Sequence, residues 1–117
     1  MKFKWTSQQV KALCASIFKW EKIVDRIGSD KGPQNCPCCL EWLNESEIKK
    51  CCIGCPIMEY TGKKYCNGTP YELWCEETKD YSFRKGMEGR QVQGVKSSEL
   101  AVQEVEFLKK VLKAGRK

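Results

Sequence analysis

Nine cysteines and not one histidine stand in this chain of 117 residues, and the pairing limits what it can become. Without imidazole there is no Ser-His or Cys-His catalytic pair and no histidine metal ligand. Any metal site must be built from thiolates, with carboxylates as the other common donor. A chain of this length makes one domain, residues 1–117, with a modest core and little spare stability. A cross-link through sulfur therefore carries weight. Nine thiols cannot all pair within one chain, which points to ligation rather than a complete disulfide framework. The opening residues, MKFKWTSQQVKAL, hold lysines but no uninterrupted apolar run and no small-residue cleavage site. No apolar stretch approaches a membrane span. These features predict a cytoplasmic protein without membrane association. In that reducing compartment, dense cysteine signals metal binding.

Periodicity organises the two ends. A helix is expected over residues 7–27, where Val10, Leu13, Cys14, Ile17, Phe18, Val24 and Ile27 make an apolar stripe. Thr6 and Gln9 form a capping-box pattern at its start, and Gly28 is the expected stop. Trp5 and Trp20 should cover core, and Cys14 reads as a small buried hydrophobe. A second long helix is expected over residues 98–114. Ala101, Val105, Leu108 and Leu112 form its stripe, widened by Val102 and Val111. Lys109, Lys110 and Lys113 suit the negative end of its dipole, and Gly115 should terminate it.

Between the helices, residues 35–82 hold eight of the nine cysteines among Gly, Pro and Asn turns. A short helix is expected over residues 40–44. A clearer one is expected over residues 70–79, where Thr69 can cap, Pro70 fits the first helical position and Glu72 can return to the cap. Leu73 and Trp74 are then available to pack. Residues 83–97 form a polar, basic loop. The predicted fold is mainly α: two packed terminal helices, an irregular metal-tied cysteine-rich middle and a short third helix.

The cysteines carry the candidate chemistry. Cys36 and Cys39 form one Cys-x-x-Cys pair, and Cys52 and Cys55 form a second. Two residues between ligands allow a tight turn to aim both sulfurs at one ion, and two such pairs close a tetrahedron. Pro37 and Gly54 suit those turns. Cys38 and Cys51 are alternatives in a slipped register. Cys66, ahead of the Thr69-Pro70 helix start, reads equally well as a ligand or as a structural residue. Cys75 reads as packing or spare. Four thiolates suit zinc, with a four-iron–four-sulfur cluster as the alternative.

The charge pattern separates the middle from its flanks. Residues 1–35 carry a net +4, residues 36–81 a net −3 and residues 82–117 a net +5, within a total of +6. Lys2, Lys4, Lys11, Lys19, Lys22, Arg84, Lys85, Arg90 and Lys96 could touch phosphates, and Trp5, Tyr60, Tyr65, Tyr71 and Trp74 could stack on bases. The charges are dispersed, however, and the cysteine block is acidic. Thiol-redox catalysis would require a Cys-x-x-Cys pair opening a helix within a strand–helix alternation, which is not visible here. No acid–base set or phosphate-cradling loop is recognisable. The chain thus reads as a non-enzymatic binding module with a protein partner, and nucleic acid as the alternative partner.

The order of motifs adds to this. KWEKI at residues 19–23, NCPCC at 35–39, CCIGCPI at 51–57, CNGTPY at 66–71 and AVQEVEFLKK at 101–110 resemble, in the same order, a family of small cysteine-rich proteins of phage and prophage genomes. The resemblance implies five recurrent cysteines, matching Cys36, Cys39, Cys52, Cys55 and Cys66. It raises Cys66 as a ligand and lowers Cys38 and Cys51. It brings no fold, cofactor or activity with it. The phage character implies the host cytoplasm as the location. It also implies action on a host or phage protein complex, inhibition of a host defence being one form.

Overall fold

The computed structural model describes residues 3–30, 36–42, 53–63, 66, 68–78, 91–92 and 94–115. Five helices and no strand occur among them: α1 (Ser7–Val24), α2 (Pro37–Trp42), α3 (Pro56–Thr61), α4 (Pro70–Thr78) and α5 (Val95–Ala114). The mainly helical architecture with packed terminal helices is as expected. The long helix α5 lies chiefly against α1 and α4 and also touches α3, while α1 carries α2. No helix among the described residues is long and apolar enough to cross a membrane.

The start of α1 follows the sequence reading. The Gln9 N–H donates to Thr6 Oγ1 at 3.1 Å, and the Thr6 N–H donates to Gln9 Oε1 at 2.8 Å. Its end does not. The helix stops at Val24, and Arg26 takes the left-handed conformation (φ 65°) usually left to glycine. Arg26 N–H donates to the Ile23 carbonyl and Ile27 N–H to the Lys22 carbonyl, both at 3.0 Å. This is the paired closure of a Schellman turn, reached two residues before Gly28.

The buried face of α1 is also rotated from the expected stripe. Gln9, Ala12, Leu13, Ser16, Trp20 and Ile23 face inward. Val10, Ile17 and Val24 flank them, while Phe18 is 59 % and Ile27 74 % exposed. Cys14 is exposed, not a buried hydrophobe. The rotation has a packing cause. Ala12 and Ser16 are small enough for close approach of neighbouring elements, and the face that contains them also inserts the large Trp20 ring.

Proline sets three of the remaining helix starts. Pro37 opens α2 directly after Cys36, and Pro56 opens α3 directly after Cys55. Pro70 opens α4 after Thr69, whose Oγ1 accepts the Tyr71 N–H at 3.2 Å. Glu72 Oε1 accepts the Gly68 N–H at 2.7 Å, one residue before the cap. Helix α2 therefore begins three residues before the expected 40–44 segment, whose end lies outside the described residues. Helix α3 was not anticipated. Trp74 is fully buried, whereas Leu73 is exposed.

Helix α5 begins at Val95, one turn earlier than expected. Its buried face is Ser97, Leu100, Ala101, Glu104, Val105, Leu108 and Val111. Val102 is exposed and Leu112 partly buried, so the stripe is centred closer to Val111 than to Leu112. Gly115 ends the helix with an ordinary negative φ of −110°. Its lack of a side chain matters for a different reason: a Cβ there would run into the Trp5 indole. Trp5 donates from Nε1 to the Val111 carbonyl at 2.7 Å and from its backbone N–H to the Gly115 carbonyl at 3.1 Å. The segment before α1 is thereby clamped to the end of α5.

Two ring clusters fill the interior. Trp20 meets Trp74 edge-on at 5.1 Å and Tyr71 at 5.8 Å. Phe3 stacks on Trp5 at 5.1 Å and reaches Tyr60, which meets Phe107. Trp5, Tyr60, Tyr71 and Trp74 are thus engaged with other rings, and Tyr65 lies outside the described residues. Most of the expected 83–97 loop, with Arg84, Lys85 and Arg90, also lies outside them.

Candidate metal centre

The cysteine neighbourhood is assembled by the proline-started helices. Cys36 immediately precedes α2, and Cys39 sits within its first turn, where the Cys39 N–H donates to Cys36 Sγ at 3.4 Å. Cys55 is the N-cap of α3. Free N–H groups at a helix start favour a thiolate over a thiol. Cys66 lies a turn before α4, where Thr69 Oγ1 donates to its carbonyl at 2.6 Å. Its φ of 60° places a non-glycine residue in the left-handed region. Such strain, about 1–2 kcal/mol, concentrates at functional positions.

The thiols bear on one another in two couples, Cys36 with Cys39 and Cys38 with Cys55. The Cys39 thiol donates to Cys36, whose pKa is pushed down to about 6, with help from the Lys19 ammonium and nearby backbone N–H groups and against the effect of burial. The Cys38 thiol donates to Cys55, which is lowered for the same reason, aided by the N–H groups of Met58 and Ile57. Cys38 and Cys39 are pushed well up as the donors of these bonds, in buried surroundings. The charges of Cys66 and Cys55 also bear on Cys39. In each couple one thiol is the readier to give up its proton. A soft divalent cation can replace such protons, since the metal-binding form is the thiolate.

Of the five expected ligands, the structure brings Cys36, Cys39, Cys55 and Cys66 into one electrostatic neighbourhood. Cys52 lies outside the described residues, as does Cys51. Cys38 joins the neighbourhood, buried to 2 % exposure, with Ser16 Oγ at 3.7 Å from its sulfur. Among the described residues no group of three or more Cys, Asp or Glu side chains is spaced to enclose an ion. The donor chemistry fits a soft metal. The described sulfurs are arranged as couples, not as a closed tetrahedron. Cys75 stands apart on α4, where its thiol bears on Tyr71.

A buried polar cluster beside the sulfurs escaped the sequence reading. Asp30 is 1 % exposed and accepts three bonds. Lys19 Nζ lies 2.9 Å from Oδ1, while the Tyr71 hydroxyl and Trp74 Nε1 reach Oδ2 at 3.0 and 3.1 Å. Lys19 is therefore an interior cation bound to Asp30, not a surface contact for phosphate. Glu104 projects from the buried face of α5 at 3 % exposure, and its Oε1 has no hydrogen-bond partner. Burial pushes its carboxyl up to about 8, reinforced by the Cys36 and Asp30 charges and opposed by Lys19 and the Tyr71 N–H. Desolvation and the Asp30 charge likewise raise Tyr71. Nothing local marks Asp30 or Glu104; only an acidic residue at a core position of the α5 stripe hints at the second. No protein-family model, curated protein or solved structure matches the chain.

Proposed function

We propose that this chain is a small non-enzymatic binding module whose cysteine-rich middle is tied by one zinc ion. The ligands are drawn from Cys36, Cys39, Cys52, Cys55 and Cys66. The supporting observation is the placing of thiols at helix starts: Cys36 and Cys39 flank the first turn of α2, Cys55 caps α3 and Cys66 lies a turn before α4. The ion holds the short helices α2 and α3 and the turn at Cys66 against the frame of α1, α4 and α5. In this reading the metal contributes folding energy and no bond of a substrate is changed.

The partner in this reading is a protein, in a host or phage complex within the host cytoplasm. The resemblance of the motif order to phage and prophage proteins supports it. So does the engagement of Trp5, Tyr60, Tyr71 and Trp74 in ring contacts, which removes them as base-stacking platforms.

The test is anaerobic purification followed by elemental analysis and an absorption spectrum. One zinc per chain in a colourless protein is expected. Iron with a broad visible absorption would replace zinc by a cluster, and absence of any metal would overturn the reading. Cys36→Ser should lose the metal, while Cys14→Ser and Cys75→Ser should keep it. Binding to duplex, single-stranded DNA or RNA that weakens steeply with salt would transfer the partner to nucleic acid.

A further inference from the structure

Two large apolar side chains stand in water among charges of opposite sign. Phe18 is 59 % exposed on α1, and Leu73 is 57 % exposed on α4. One exposed apolar residue by itself needs no explanation. What sets this pair apart is the charge around each.

Around Phe18 the charge is positive. Lys11, Ala15, Phe18 and Lys22 are all exposed and recur at spacings of four and three, which lines them up as one outward ridge of α1. Lys22 Nζ lies over the Phe18 ring, 4.4 Å from its centre, so the ring and the charge form one feature. Of the acids at the edge of this ridge, Glu21 is drawn toward Lys109 of α5 at 3.5 Å, and Asp25 is the C-cap beyond Lys22. Around Leu73 the charge is negative. Glu72, Glu76 and Glu77 surround it on α4, all exposed. Glu77 meets Lys96 only at 3.8 Å, and the bond from the Gly68 N–H to Glu72 leaves that carboxylate its charge.

The two patches match, but one chain cannot bring its own pair together. Helices α1 and α4 turn Trp20 and Trp74 toward each other, edge-on at 5.1 Å. Phe18 is two residues from Trp20 and therefore on the opposite side of α1. Leu73 stands outside the same contact, beside the buried Trp74.

We infer that the α1 ridge of one copy of this chain docks on the α4 patch of a second copy. Phe18 covers Leu73, and Lys11 and Lys22 face Glu72, Glu76 and Glu77. The two surfaces differ, so the contact is head-to-tail and leaves a free patch at each end. Association then runs on to chains or rings instead of stopping at a two-fold dimer. Two short helix faces make a small interface of the weak, reversible class. The opposite charges give it orientation more than strength. The inference goes beyond the metal reading and does not depend on it.

The test is sedimentation velocity on the full-length protein, kept reduced so that the exposed Cys14 cannot cross-link copies. The concentration runs from about 1 μM to about 1 mM. In about 0.01 M salt the wild type should pass from one chain to two and more as the concentration rises. In about 1 M salt, where the screening length falls from about 30 Å to about 3 Å, that association should be lost. Phe18→Ser and Leu73→Ser change exposed side chains, and circular dichroism should show both folded. Each variant alone should associate at least about tenfold more weakly than the wild type. Mixed in equal amounts, the two should form a dimer of one chain of each and go no further. Leu73→Ser keeps the Phe18 ridge and Phe18→Ser keeps the Leu73 patch, so one contact survives. A wild type that stays monomeric throughout in low salt overturns the inference. So does association that strengthens with salt, a variant that associates as the wild type does, or a mixture that stays monomeric.

Discussion

Replacing Asp30 by asparagine tests whether the interior cluster holds the helices together. The carboxylate accepts from Lys19 of α1 on one oxygen and from Tyr71 and Trp74 of α4 on the other. Asparagine has one acceptor and one donor in the same outline. Whichever way it turns, its NH2 group meets either the ammonium or the two neutral donors, and the ion pair is lost in both cases. The Lys19 side chain is only 11 % exposed, so its charge cannot be handed to water. Breaking a buried pair in this way costs about 3–5 kcal/mol. A domain of this size has roughly 5–15 kcal/mol in total. Urea unfolding at pH 7, followed by tryptophan fluorescence, reads the loss directly because Trp20 and Trp74 lie at the site. The control is Glu21→Gln, which removes the exposed Lys109–Glu21 pair at 3.5 Å. That change should cost about 0–1 kcal/mol. Adding Lys19→Met to Asp30→Asn should restore much of the stability, because no buried charge is then left unpaired. If Asp30→Asn loses no more than Glu21→Gln, the cluster is not an interior ion pair and the reasoning fails.

Three further outcomes follow from the structure. Arg26→Gly should stabilise the protein by about 1 kcal/mol in the same urea experiment, since glycine occupies the left-handed end of α1 without steric cost. Gly115→Ala should destabilise it by about 1–3 kcal/mol in the same urea experiment, as the new methyl displaces the Trp5 ring, and a wild-type unfolding midpoint would refute this. In chelator-treated protein, Glu104 is more readily protonated in the folded chain (about 8) than its ordinary value of 4.5, so the folded state binds the extra proton between those limits. Its contribution should make stability fall as pH rises from about 4.5 to about 8, and Glu104→Gln should flatten that slope. An unchanged slope would show that the carboxyl is not held protonated by its surroundings.

Much of the local structure is written in short stretches of residues. The Thr6–Gln9 box and the Thr69-Pro70 start depend on groups close in the chain, and both appear where the residues place them, while α5 forms as expected but starts one turn earlier. The same rules would have located α3, which the reading missed, since Cys55-Pro56 ahead and Gly62 behind (φ 76°) mark both ends. The faces were less accessible. Counting apolar residues brought Cys14, Phe18 and Ile27 onto the α1 stripe, because periodicity registers hydrophobicity and not the small size of Ala12 and Ser16. Likewise, the sulfur spacing paired Cys36 with Cys39 and Cys52 with Cys55 and kept Cys38 only as an alternative in a slipped register; its relation to Cys55 exists only when α2 and α3 are brought together.

By itself, then, the sequence determined the helical class, the starts of α1 and α4 and the restriction of candidate chemistry to thiolate and carboxylate. Nine cysteines without histidine, and prolines placed beside helix caps, act through covalent chemistry and near neighbours. Tertiary structure alone decided which face of each long helix is inside, that Lys19 and Asp30 form an interior pair, and that Glu104 Oε1 is buried without a hydrogen-bond partner. Those outcomes depend on desolvation and on partners far along the chain, and neither exists until the helices pack.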